Sequence, residues 1–265
     1  MILPPPPDST LQTMLRRIGA LRPRLSCSDT DLLEAYWRLH PRFHFVKTVP
    51  ADAALLDIGA GSGGLARWKR WLQPFRDDIV FYGVDRARGT DAHLYRRWEC
   101  VNLDAALPDF PDVTFDAFML SHVIEHLGDP ARMITWIASR IRPGGRVYIE
   151  WPNENAARQP RREAFLRHDI DIMITNFFDD ATHLRMIPPD EVLGPLTRSG
   201  FRIIGSGTVD LGLPGEEMLA RGLANGDAFA RLAGYWSMSG WSNWVVAAWP
   251  RDDDPSNGDA AAGDA

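Results

Sequence analysis

The stretch Leu55 to Gly64, LLDIGAGSGG, constrains the fold more than any other part of this chain. An apolar run from Ala53 leads to the acid Asp57 and then to Gly59, Gly61, Gly63 and Gly64. Such a run reads as a buried strand, and the glycines let the backbone turn sharply and approach a ligand closely. LARWKRWL follows at once and reads as a helix. Strand, glycine loop and helix in that order form the place where an open α/β sheet holds a nucleotide.

The spacing of the glycines leaves two cofactor classes open. Gly59, Gly61 and Gly64 satisfy G-x-G-x-x-G, and Asp85 stands about 20 residues further on, as a dinucleotide site requires. The carboxylates discriminate. Asp57, Asp85 and Asp104 each fall at the C-terminal end of a successive expected strand, the edge where such sheets bind ligands. An acid just ahead of the loop repels a pyrophosphate and attracts a cofactor carrying sulfonium and ammonium groups. The acid pattern favours the cationic cofactor.

Along the chain, Pro4 to Pro7 reads as extended, and residues 1–9 as a disordered start. Residues 10–50 read as a helical extension, with helices over Thr10 to Leu21 and Asp29 to Leu39. Ser28 and Asp31 form a capping box at the second. Residues 51–250 then alternate. Strands are expected over Ala53 to Ile58, Ile79 to Asp85, Glu99 to Asp104, Phe115 to Ser121 and Arg146 to Trp151, with helices over Leu65 to Leu72 and Pro130 to Ile141. Asp129 caps the latter, with Pro130 at its first position. This alternation requires a parallel sheet. Later, Pro189 to Ser199 and Glu216 to Ala233 read as helices, and Phe201 to Gly205 and Asn243 to Trp249 as the last strands. The acidic tail 251–265 is poor in apolar residues and reads as disordered.

The bulk composition excludes several classes. A formal charge of −6 argues against broad nucleic-acid binding, which needs a basic face. The two cysteines, Cys27 and Cys100, support neither a disulfide framework nor a zinc ribbon. MILPPPPDST lacks the basic start and apolar core of a signal peptide, and the longest apolar segment is broken by charges. The expected location is the cytoplasm, without a membrane span.

LLDIGAGSGG, FYGVD, VNLDAALP, FDAFMLSHVIEHLGDP and IRPGGRVYIEWPN stand in an order and spacing that resemble the class I S-adenosylmethionine-dependent methyltransferases. The resemblance covers roughly Ala53 to Asn153. It implies a Rossmann-like, seven-stranded, mostly parallel sheet with helices on both faces, and S-adenosylmethionine as cofactor. By it, Gly59, Gly61 and Gly63 line the methionine and ribose end, and Asp57 helps hold the amino-acid part. Asp85, with Arg86 beside it, faces the ribose hydroxyls. Leu103 packs on the adenine, Asp104 accepts from its exocyclic amine, and Ser121 and His122 face the cofactor beside the transfer centre. The link from the second strand to the third, Arg86 to Trp98, is shorter than the family's. The link between the last two strands, a tight hairpin in the family, holds an insertion expected to cover the acceptor or form a dimer contact.

His122, Glu125 and His126 also spell H-x-x-E-H, a zinc-peptidase pattern. That reading needs a long helix, whereas the motif follows a strand directly and runs into Gly128, so no metal is expected. Methyl transfer rests largely on in-line placement of the acceptor. An oxygen acceptor must also lose a proton, for which histidine is suited, and His122, His126 and His183 are the candidates. A loop-bracing role for His183 competes equally. Arg158, Arg161, Arg162 and Arg167 could clamp an anionic acceptor or form a solvated face. Trp236, Trp241 and Trp244 could stack on a sugar or aromatic ring or belong to the core.

The function expected is methyl transfer to a small or medium-sized acceptor, an oxygen of a metabolite or glycan, with no nucleic acid as partner and a homodimer as a compatible state. The alternatives are an NAD-dependent oxidoreductase using the same loop and a non-catalytic, cofactor-binding partner subunit.

Overall fold

This computed structural model describes residues 8–251, so the expectations for residues 1–7 and 252–265 lie outside the described residues. Its centre is a seven-stranded sheet of order β3-β2-β1-β4-β5-β7-β6. The strands are β1 (Ala54–Ile58), β2 (Val80–Asp85), β3 (Arg97–Cys100), β4 (Phe115–Ser121), β5 (Ile141–Pro152), β6 (Arg202–Thr208) and β7 (Ser242–Ala248). β1 lies parallel to both β2 and β4, with Asp57 level with Gly83 on one side and Met119 on the other. The β7 end meets the β5 start, since Trp249 N–H donates to the Gly145 carbonyl, so this pair is antiparallel.

By contacts the chain divides into two compact units. The first to describe comprises residues 45–149, 189–206 and the chain from 245, and it contains the glycine loop. Its core is built on rings that meet edge to face: Tyr82 with Phe110 and Phe115, Phe115 with Phe118, and Phe118 with Trp136. Trp136 lies on α4 (Pro130–Ala138), which begins as expected with Asp129 accepting from the Arg132 N–H and with Pro130 at its start. Arg76 ties the approach to β1: it donates to the carbonyls of Lys47, Val49 and Pro50 and pairs with Asp78 at 2.7 Å.

The other unit comprises the chain up to residue 44, 150–188 and 207–244. It holds α1 (Asp8–Ala20) and α2 (Asp29–Leu39), the latter with the expected Ser28–Asp31 capping box. A third helix, α3 (Pro41–Thr48), follows and was not foreseen; its low amphipathicity hides it from periodicity. The expected helix Glu216 to Ala233 is instead a hairpin of α8 (Leu213–Asn225) and α9 (Ala228–Ser239). Gly226 at φ 75° ends the first, and Asp227 caps the second by accepting from the Ala230 N–H. These helices build a core of Met14, Ile18, Phe165, Leu219 and Tyr235. The buried Glu217 carboxylate accepts from the Arg24 and Leu25 N–H groups and from Arg221. Burial alone would raise its pKa, but those donors hold it below the usual carboxylate value.

Two further expectations need correction. Leu65 to Leu72 is no α-helix but a 3-10 turn, Gly64–Lys69; Leu72 at φ 59° and Pro74 stop any continuation. β3 starts two residues earlier than expected and ends at Cys100, because the Asn102 carbonyl accepts from both Ala105 and Ala106 and turns the chain.

Candidate active site

Gly59, Gly61 and Gly63 all stand in the left-handed region, at φ 70°, 56° and 85°. Their neighbours differ. A Cβ on Gly59 would lie 2.3 Å from Val123, and one on Gly63 would press on Asp91 and Tyr95, whereas one on Gly61 meets nothing within 4 Å. Two of the glycines therefore serve packing, and Gly61 presents the bare backbone to open space. The loop is tied to β2, for both Gly59 and Ala60 N–H groups donate to the Val84 carbonyl.

Around this loop stand the three acids. Asp57 is 5% exposed and accepts from the Tyr95 hydroxyl at 2.7 Å. Asp85, the last residue of β2, accepts from the Gly61 N–H at 2.8 Å through Oδ2. Arg86 is exposed beside it. Asp104 is not at a strand end but on the turn four residues beyond β3, and it accepts from the Gly128 N–H at 2.9 Å through Oδ1. Leu103 and Asp104 border a cavity of about 240 Å³, closed by Leu107, Leu127, Gly128, Asp129, Arg132 and Met133. Apolar walls with the carboxylates of Asp104 and Asp129 among them suit a flat, amine-bearing heterocycle. Leu127 and Met133 had no signal of their own, since each reads as ordinary core.

Ser121 closes β4, and its buried hydroxyl has no hydrogen-bond partner among the described residues. Next comes His122, at φ 56°, a backbone state that costs a non-glycine residue about 1–3 kcal/mol and collects at functional sites. Its Nδ1 lies 3.3 Å from Oε1 of Glu125, which is fully buried. Ile124–His126 is a single 3-10 turn, so His122 and His126 do not share the face of an α-helix that the H-x-x-E-H reading required.

In the helical unit, His183 Nδ1 meets the Phe177 carbonyl at 2.5 Å and its ring stacks on Phe177 at 4.4 Å. Arg158, Arg162 and Arg167 pair with Glu154, Asp171 and Glu163, while Arg161 donates to the Phe178 carbonyl. These local partners make the arginine group a solvated face. Trp241 is core at 1% exposure, and Trp236 stacks on it at 5.2 Å. The same unit contains a cleft with Tyr36 and Trp37 of α2 and Phe229 and Trp236 of α9 among its walls. Arg42 and Glu150 line it as well, joined by two hydrogen bonds of 3.2 and 2.7 Å. Tyr36 and Trp37 read in the sequence as part of the apolar face of the second helix, and Phe229 carried no signal of its own.

A family model described as "Methyltransferase domain" matches residues 31–205. The chain belongs to that methyltransferase family. It is 29% identical over 105 residues to a ubiquinone biosynthesis O-methyltransferase of Aeromonas salmonicida (strain A449), covering 38% of this chain and 44% of that protein. A protein of the same description from Xylella fastidiosa (strain 9a5c) is 28% identical over 116 residues, covering 42% and 47%. The chain thus spans under half the length of these curated relatives.

Among solved structures, a SAM dependent methyltransferase from Archaeoglobus fulgidus aligns with TM-score 0.50 at 18% identity, over 82% of this chain and 94% of that one. The [4+2]-cyclase SpnF aligns with TM-score 0.54 at 18% identity, over 94% and 98%. These likenesses concern the fold, which is the class I methyltransferase fold expected from the motifs. S-adenosylmethionine is the cofactor, and the site suits it. At the open face of Gly61, with the Asp85 carboxylate hydrogen-bonded to it, a dinucleotide would lack its usual support. A pyrophosphate rests on the N-terminus of an α-helix, and only a six-residue 3-10 turn follows this loop.

Proposed function

We propose that this chain transfers a methyl group from S-adenosylmethionine to an oxygen of a small hydroxylated aromatic ring. The observation that carries the choice of acceptor is the cleft walled by Tyr36, Trp37, Phe229 and Trp236. Flat faces of this kind stack on rings, and the Arg42–Glu150 pair supplies acceptors and donors for ring hydroxyls without a net charge. Arg42 already lies 5.9 Å over the Trp37 ring, so the place a cationic acceptor would seek is filled. The local pairing of Arg158, Arg162 and Arg167 weighs against an anionic acceptor. The relatives' description as O-methyltransferases of ubiquinone biosynthesis supports the same choice of atom.

Within this reading Asp57 holds the amino-acid end of the donor, Asp85 the ribose, and Leu103 and Asp104 the adenine. His122 is the general base. With Glu125 beside Nδ1, the imidazole would take the acceptor's proton, and bound S-adenosylmethionine would supply the methyl group, its carbon–sulfur bond breaking to leave S-adenosylhomocysteine as the new carbon–oxygen bond forms. His183 has its Nδ1 engaged with the Phe177 carbonyl and serves the loop.

The test is incubation of the full chain with labelled S-adenosylmethionine and a panel of catechols, phenols, sugars and amines. Label in the catechol and phenol products alone supports the reading. Label confined to sugars or amines overturns the acceptor class. Thermal stabilisation by S-adenosylhomocysteine with no transfer to any acceptor favours the partner-subunit alternative.

A further inference from the structure

The link between β2 and β3 carries no α-helix, yet it holds the residue that touches the buried acid of the site. Tyr95 follows the 3-10 turn Ala92–Leu94 and is 7% exposed. Its ring is fixed on every side the structure describes: edge-on to Phe81 at 5.7 Å and to Trp98 at 5.1 Å. A Cβ on Gly63 would come 3.1 Å from its Cε2, and one on Gly83 would come 2.9 Å from its Cδ1. Two glycines, one in the cofactor loop and one in the middle of β2, make room for this ring. The hydroxyl then reaches the Asp57 carboxylate at 2.7 Å.

The rest of the link braces the loop from behind. Asp91 N–H donates to the Ser62 carbonyl at 2.7 Å, and Gly89 lies so close that a Cβ there would be 2.5 Å from the Gly61 carbonyl oxygen. Arg67, on the turn after the loop, pairs with Asp91 at 2.6 Å. The link and the loop are therefore tied together at several points.

We propose that Tyr95 is a positioning residue for the donor: its hydroxyl orients Asp57 so that the carboxylate meets the amino-acid end of S-adenosylmethionine. The proposal rests on Asp57 holding that end. A carboxylate this buried needs donors to stay charged, and a hydroxyl on a locked ring gives one direction rather than many. Burial, followed by the nearby Asp57 charge, pushes the Tyr95 hydroxyl far above its ordinary range, so it remains a donor throughout the working pH range.

The decisive experiment is calorimetric titration of the full chain and its Tyr95→Phe and Asp57→Asn variants with two probes. S-adenosylhomocysteine carries the amino-acid end, and 5′-methylthioadenosine has the same nucleoside and sulfur without it. Tyr95→Phe keeps the ring and removes only the hydroxyl. The expected result is a loss of S-adenosylhomocysteine affinity of about tenfold, the scale of one hydrogen bond to a charged group, with 5′-methylthioadenosine binding changed less than twofold. Equal weakening of both probes would mean that Tyr95 only holds the fold. No change in either would mean that its hydroxyl is irrelevant to the donor. Asp57→Asn separates the two layers. If it weakens S-adenosylhomocysteine selectively while Tyr95→Phe does not, the Tyr95 proposal alone fails; if it leaves both probes unchanged, the Asp57 reading beneath it fails.

Discussion

In the proposed reaction, Asp85 serves donor binding and His122 the chemistry, a division at the scale of single residues. Asp85→Ala removes a charged acceptor beside the open face of Gly61. Hydrogen bonds to a charged group contribute about 1.5–3 kcal/mol, so affinity for S-adenosylhomocysteine should fall about 10- to 100-fold in titration calorimetry. His122→Gln should instead leave that affinity within a few-fold and lower kcat by about 10²–10⁴, the usual contribution of a positioned base. The identity of these residues was legible because strand ends and glycine loops leave strong local signals. Tyr95 was not legible, because its partner Asp57 is 38 positions away and only the fold brings the two together.

At the scale of elements, the α8–α9 hairpin depends on small residues. A Cβ on Gly234 would lie 2.4 Å from the Leu219 backbone nitrogen, and one on Gly215 would lie 2.4 Å from the Ser237 hydroxyl. Gly234→Ala meets rigid backbone, so it should destabilise the protein by about 1–3 kcal/mol in denaturant unfolding. This hairpin read as one helix in the sequence, since the break at Gly226 and Asp227 interrupts an otherwise continuous apolar pattern. The helix after the glycine loop failed for a related reason: LARWKRWL has helical composition, but a left-handed Gly63 and the stop at Leu72 leave only a 3-10 turn. β4, by contrast, spans Phe115–Ser121 as expected, since a buried parallel strand is a plain apolar run.

The chain just ahead of β2 has a pH signature. The Asp78 carboxyl is pulled down to about 2, first by its hydrogen bonds to Arg76, against the opposing effect of burial. A depressed carboxyl stabilises the folded chain fully above its unfolded pKa of about 3.9, and that stabilisation disappears as pH falls through the folded value. Asp78→Asn should therefore cost about 1–2 kcal/mol at neutral pH, and the gap to the wild type should close between about pH 4 and pH 2, as read from urea midpoints.

For the whole molecule, the donor-facing acids and the aromatic cleft belong to different compact units of the chain: Asp57, Asp85 and Asp104 to one, Tyr36, Trp37, Phe229 and Trp236 to the other. The first set lay within the resembling stretch and was open to the sequence. The second draws on α2 and on the α8–α9 hairpin between β6 and β7, so no motif announced it. This separation predicts defects that do not mix. Trp37→Ala removes a ring wall of the cleft, so it should raise KM for a phenolic acceptor by about 10-fold or more, within the range of a lost stacking face. Its affinity for S-adenosylhomocysteine should stay at the wild-type value. Asp85→Ala should show the reverse, with KM for the donor raised and KM for the acceptor at saturating donor unchanged. A Trp37→Ala enzyme whose acceptor KM is unaltered would place the acceptor elsewhere, and the aromatic cleft would then lose its role in the proposed reaction.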